Sequence, residues 1–248
     1  MKREIKKIIF CGVSCILTVG LLTSCGDKVT VLDDKVKQSK VESNSGTENN
    51  NNDLQIQVGQ YVEFGTYEQD GDDNNGDEPI EWKVLVVKDG KALLISKCVL
   101  DWQKYNETDE KVNWSTCSLR TWLNKDFYRE AFDQEEMNRM VDTVITSDGI
   151  ETYDLVFILN KTEMETYFHS DDERISEPTE ITKLAARDTQ NSGFENKEGC
   201  WYWVCGNGTL DKAPYVSKAG AIEDNTDYVD WYYGIRPAIW ITINQDSE

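Results

Sequence analysis

Between Gly26 and Asp53 the chain carries no aromatic residue, and it closes on the low-complexity run SNSGTENNNND, Ser43 to Asp53. A tract like this cannot bury enough apolar surface to offset the entropy of ordering its backbone. Folding is therefore confined to the chain beyond Asp53. Residues 54–248 are one domain's worth of chain. All eight tryptophans and eleven tyrosines fall there. Some of these rings must form a core, and the surplus would be exposed for stacking on a ligand.

Ahead of the polar tract, Lys2, Arg3, Lys6 and Lys7 precede the apolar run Ile8 to Leu22. That run is short for a membrane span and has the flanks of a signal peptide. It ends in Leu22-Thr23-Ser24-Cys25, which resembles a bacterial lipobox. The resemblance implies cleavage before Cys25 and diacylglyceryl attachment to its sulfur. Each buried acyl CH₂ adds about 0.8 kcal/mol, and two chains hold stably. The alternative is an ordinary signal peptide with a chance cysteine. The expected organisation is a lipoprotein signal peptide over 1–24, a lipid anchor and disordered linker over 25–53, and a single domain over 54–248. The cell membrane is then a partner through the anchor, and the domain is expected on its extracytoplasmic face.

The formal charge is −20, and loss of the basic leader makes the remainder more negative still. That argues against nucleic acid and against adhesion to anionic lipid or cell-wall polymer, and favours cationic partners or divalent ions. Four cysteines lie in the domain: Cys98, Cys117, Cys200 and Cys205. An extracellular setting permits disulfides, and three connectivities are open.

Periodicity suggests a sheet-rich domain with short helices. Val58 to Tyr67 alternates and turns at Gly65. Pro79 to Val87 and Lys91 to Lys97 flank Lys88-Asp89-Gly90, a hairpin signal. Leu119, Trp122, Leu123 and Phe127 make one apolar stripe over Ser115 to Phe132, which predicts an amphipathic helix capped by Ser115 or Thr116. Asp133 with Glu136, and Thr162 with Glu165, have capping-box spacing. Pro178 to Arg187 reads as a further short helix. Asp154 to Leu159 reads as a buried strand, as do Trp201 to Gly206 and Tyr233 to Ile243. The expected class is α+β with a mostly antiparallel sheet.

Taken in order, FGTY, PIEWKVL, ALLIS, SLRTWLNKDFYREAF, DLVFIL, YF, PTE and GIRPAIWI resemble an uncharacterised domain family of Gram-positive bacterial surface lipoproteins. The resemblance runs from about Val58 to Ile243. That family is remotely similar to the C-type-lectin-like fold of formylglycine-generating enzymes. The resemblance implies a C-type-lectin-like architecture with an early amphipathic helix, several short helices and a terminal Gly-Ile-Arg-Pro strand. Where the family carries Trp-Trp-Leu-Arg-Ser, this chain has Trp201-Tyr202-Trp203-Val204-Cys205. No ligand contact of that arginine or serine is carried over.

Several residues stand out as candidates. Arg236 lies in an apolar strand, where an unpaired guanidinium is very costly. Asp154 opens another apolar run, and the two are expected to form a structural ion pair, with Glu81 or Asp101 as alternative partners. Trp201 and Trp203 lie two apart and would share one strand face, as a sugar platform or as core. Trp231, Tyr232 and Tyr233 are consecutive and cannot all point inward, so Trp231 and Tyr232 join the candidate ligand-binding residues. Asp70, Asp72, Asn74 and Glu81 sit at the first, third, fifth and twelfth places of an EF-hand-like count, but the glycine is misplaced; this loop is expected to be solvated. The single histidine, His169, excludes a His-based zinc site. No catalytic residue, metal or cofactor is expected. The leading expectation is a non-catalytic module that binds a glycan or a surface protein. A structural subunit of a cell-surface assembly and a cysteine-dependent oxidoreductase are the alternatives.

Overall fold

The computed structural model describes residues 56–189, 199–206 and 210–243. All described residues lie in one compact unit within 52–248. The expected signal peptide, Cys25 and the expected linker lie outside the described residues.

Among the described residues, three sheets carry the fold. The first has the order β1-β2-β3-β11: Tyr61–Tyr67, Glu78–Lys88, Lys91–Ser96 and Ala238–Thr242. The β2–β3 turn is made by Asp89 and Gly90, both at positive φ (52° and 69°). That is the backbone a two-residue hairpin turn requires, and Asp-Gly supplies it at low cost. The second sheet has the order β4-β10-β7-β8-β9: Asp101–Lys104, Tyr232–Ile235, Tyr202–Trp203, Lys212–Val216 and Ile222–Tyr228. All its pairings are antiparallel except β10 with β7, which meet at Gly234 and Tyr202. The third sheet is the hairpin β5–β6, Thr143–Ser147 with Ile150–Asp154.

The sheets are mostly antiparallel and helices accompany them, which is partly consistent with the expected α+β class. The expected C-type-lectin-like architecture with an early amphipathic helix is overturned: among the described residues strands outweigh helices, and the longest helix is the nine-residue Glu180–Asp188. The segment after Ser118 does not form one regular α-helix. It breaks into α1 (Ser118–Trp122), a π turn (Leu123–Phe127) and α2 (Tyr128–Ala131). Asn124 explains the break. Its Nδ2 donates to the carbonyls of Arg120 (3.1 Å) and Val156 (2.8 Å), and its Oδ1 accepts from the N–H groups of Leu155 (2.9 Å) and Val156 (3.1 Å). The side chain thus serves the backbone of an adjacent segment, and the helix widens by one residue there. Neither Ser115 nor Thr116 caps α1; Cys117 stands at that position without a side-chain bond.

Among the described residues, two capping boxes form. Asp133 and Glu136 close one on α3, Gln134–Arg139, as the spacing predicts. The other opens α4, Lys161–Tyr167, but with Asn160 and Glu163 rather than Thr162 and Glu165. Residues 155–159 are buried or half-buried yet are not a regular strand. Asn124 and isolated bridges such as Phe157 to Ala238 satisfy their backbone instead.

The terminal segment is split at Arg236-Pro237, so β10 belongs to the second sheet and β11 to the first. Proline has no N–H to donate, and the Pro237 carbonyl accepts from Ser96 N–H at 2.9 Å. The core lies around these sheets. Trp82, Trp114, Trp203, Tyr67, Tyr105 and Phe127 are among its fully buried side chains.

The ion pair expected between Arg236 and Asp154 does not form. Asp154 is fully buried and accepts from Arg120 Nε at 2.6 Å, Trp114 Nε1 at 2.8 Å and Thr152 Oγ1 at 2.7 Å. Arg236, 4% exposed, donates to the carbonyls of Ser96 (2.9 Å) and Arg174 (3.4 Å) and to the Tyr202 hydroxyl (3.2 Å). Its guanidinium also lies 5.4 Å from the Phe168 ring centroid and 5.5 Å from that of Tyr202. Glu81 pairs with Lys97 at 2.5 Å, and Asp101 accepts from the Tyr67 hydroxyl. Carbonyl dipoles and ring faces, rather than a carboxylate, stabilise the buried Arg236 charge.

Candidate functional site

A group of rings gathers on the second sheet around Tyr233 of β10. Its ring centroid lies 4.5 Å from that of Trp203, 4.9 Å from Tyr215, and 6.2 Å from both Trp102 and Trp201. The strands bring them together. Trp203 of β7 pairs directly with Tyr215 of β8. Gly234 lets β10 approach β7: a Cβ there would collide with Val99 and with the Trp201 carbonyl, and would lie 3.1 Å from Cys200 Sγ. Trp201 and Tyr215 are half-buried, while Trp203 is fully buried.

The four aromatic candidates therefore separate. Trp203 is core, and its indole N–H donates to the Gln103 carbonyl at 3.0 Å. Trp201 lies at the margin of the cluster, nearly perpendicular to Tyr233. Trp231 is 49% exposed and lies 6.0 Å from the ring of Tyr228, itself exposed. Tyr232 is half-buried. The descent from exposed Trp231 through Tyr232 to buried Tyr233 follows the strand that begins at Tyr232.

Polar groups edge the rings. The Tyr233 hydroxyl donates to the Asp227 carboxylate. Burial first, and then this carboxylate, raise the Tyr233 pKa above the usual phenol value. Lysine ammonium groups lie over three rings: Lys218 over Trp201 (4.3 Å), Lys212 over Tyr228 (4.6 Å) and Lys104 over Tyr232 (5.2 Å). Tyr233, Tyr215 and Asp227 do not stand out as ligand-binding residues in the sequence. The period-two alternation that places Trp201 with Trp203 says nothing of which strands lie beside them.

Other groups are less suited to bind a ligand. Glu68, Asp70 and Glu78 each offer an oxygen within 4.8 Å of the others. Those carboxylates already serve their own loop. Glu78 accepts from Gln69 N–H (2.8 Å), Glu68 from Gly71 N–H (2.6 Å) and Asp70 from Asp72 N–H (2.7 Å). The bonds from Asp72 and then Asn75 lower the Asp70 pKa. Glu81 lies away in β2, so the EF-hand-like count does not describe this loop. An open cleft of about 300 Å³ is lined in part by Lys88, Lys91, Thr143 and Trp240. His169 is exposed.

Cys98, Cys117, Cys200 and Cys205 are all free thiols. Burial raises the Cys117 pKa from 9.0 to about 12 and pushes those of Cys200 and Cys205 up as well. A reactive cysteine needs the opposite shift.

A family model described as a domain of unknown function (DUF6273) matches residues 89–243. No curated protein matches, and no solved structure does. Among the described residues, no helix is long and apolar enough to cross a membrane.

Proposed function

This chain belongs to the DUF6273 family of domains of unknown function, and we propose that it is a membrane-anchored, non-catalytic lipoprotein whose domain binds saccharide outside the cell. The observation that carries the binding reading is the ring cluster around Tyr233, with half-buried Trp201 at its margin, together with the separate exposed pair Trp231 and Tyr228. An aromatic side chain offers a flat apolar face, and Tyr and Trp add a polar edge. A sugar ring has the complementary form, with an apolar C–H face and a hydroxyl rim. The Tyr233–Asp227 pair and the Tyr215 phenol supply groups for that rim. The anchor rests on the basic leader, the apolar run and Cys25. The buried thiols with raised pKa values give cysteine-dependent oxidation no support.

The reading is tested with the full-length chain on a glycan array. Binding is expected, and it should fall at least tenfold in Trp231→Ala with the melting temperature nearly unchanged, and at least as far in Trp201→Phe, which keeps an aromatic ring packed at that half-buried position. In cells, Cys25→Ser should move the protein from the membrane to the soluble fraction. Silence on the array with an intact fold would reject saccharide recognition. It would favour the second reading, an accessory subunit of a surface assembly. One observation already favours that alternative: Val144 and Tyr153 pair across the β5–β6 hairpin with exposures of 50% and 65%.

A further inference from the structure

The charges around the aromatic face bear on what kind of saccharide it would take. From Asp211 to Tyr233 the sequence holds five carboxylates, Asp211, Glu223, Asp224, Asp227 and Asp230, against two lysines, Lys212 and Lys218. Glu223 is paired across strands with Tyr215, and Asp227 bonds to Tyr233, so two of the carboxylates flank the central rings. Asp224 is already matched by Lys161. The whole chain carries −20. At physiological ionic strength charges beyond about 8 Å are largely screened, so the nearby groups decide.

The rings point the same way. An aromatic face carries negative quadrupolar charge and attracts cations within about 6 Å of its centroid. Three rings of this sheet and its flank already hold one, the ammonium groups of Lys218, Lys212 and Lys104. Each lysine is tethered to the strands or their flanks. Lys212 is directly opposite Tyr228 in the β8–β9 pair, and Lys104 directly opposite Tyr232 in the β4–β10 pair. These side chains stand where a ligand's ammonium group would stand.

Building on the saccharide reading, we propose that the ligand is an amino sugar bearing free ammonium groups, and that Lys212 and Lys218 cover the rings as internal competitors in its absence. The partly accessible groups of the cluster, Tyr215 with Glu223 opposite it and Asp227 bonded to Tyr233, receive one ammonium group. The outer rings receive others once the lysine side chains swing away. An acidic saccharide would meet the two central carboxylates instead.

Titration calorimetry of the full-length chain at pH 6 tests this with three probes: a glucosamine hexamer, its fully N-acetylated counterpart and hexalysine. The free-amine hexamer is expected to bind at least tenfold more tightly than the acetylated one. Asp227→Asn, which keeps an acceptor for the Tyr233 hydroxyl, should remove most of that preference. Lys218→Gln should strengthen amine binding several-fold, because it uncovers Trp201 and removes a like charge. Equal affinity for the two hexamers, or weaker binding in Lys218→Gln, would overturn the inference and leave the saccharide reading standing. Hexalysine binding as tightly as the glucosamine hexamer would overturn the sugar component. No binding by either hexamer, together with a silent array, would reject both.

Discussion

At the scale of single residues, the two conspicuous internal charges have different solutions. Asp154 is held by a guanidinium, an indole N–H and a hydroxyl; Arg236 has carbonyls, a phenol and two rings. Removing one partner of a buried pair costs about 3–5 kcal/mol, because the other is left uncompensated. Asp154→Asn is therefore expected to lose stability on that order in urea denaturation, with Arg120 left facing a neutral amide. A double-mutant cycle with Arg120→Met should recover part of the loss; strict additivity would mean that the two side chains are not coupled. The sequence made both charges conspicuous but could not match them. Arg120 lies outside the apolar stripe of Leu119, Trp122, Leu123 and Phe127 and carries no mark of its partner, while an arginine can be satisfied by backbone carbonyls that have no signature in side-chain type.

At the scale of elements, the pattern of apolar residues located most segments and misjudged their continuity. The stripe Leu119, Trp122, Leu123, Phe127 is compatible with an unbroken helix. The one-residue expansion at Asn124 comes from a distant backbone that needs donors and acceptors. Asn124→Ala is expected to leave the Leu155 and Val156 N–H groups without their partner. Each stranded buried group costs about 1–3 kcal/mol, so denaturation should show a loss of a few kcal/mol. Hydrogen exchange at Leu155 and Val156 should accelerate before global unfolding. An unchanged exchange pattern would refute the role given to Asn124. Likewise, GIRPAIWI reads as a single strand, and only the arrangement of sheets reveals that Arg236-Pro237 passes the chain from one to the other. The candidate site was legible in its aromatic letters, Trp201, Trp231 and Tyr232. Its centre, Tyr233 with Tyr215 and Asp227, depends on neighbours in space that periodicity does not specify.

At the scale of the molecule, the buried thiols set an alkaline limit. Cys117 holds its proton to about pH 12 in the fold, against 9.0 when exposed, and Cys200 and Cys205 are shifted in the same direction. The unfolded chain releases these protons first, so their stabilising contribution is complete below about pH 9. For Cys117 it is lost as pH rises from about 9 toward about 12, at roughly 1.4 kcal/mol per pH unit, and Cys200 and Cys205 act in the same direction. Thermal melts between pH 8 and 11 should show a steep fall, lessened in Cys117→Ala once its own cavity cost is subtracted. A flat profile would mean that the thiols are not sequestered.

Arg236 sits at the joint between the two main sheets, and its counterparts are dipoles and π-clouds. None of these takes up a proton in acid, and none is a small ion that brine can exchange. The joint should therefore stay closed in media that loosen ordinary charge pairs, and a weakening of the domain in such media would begin elsewhere, at contacts such as Lys97–Glu81 on its rim.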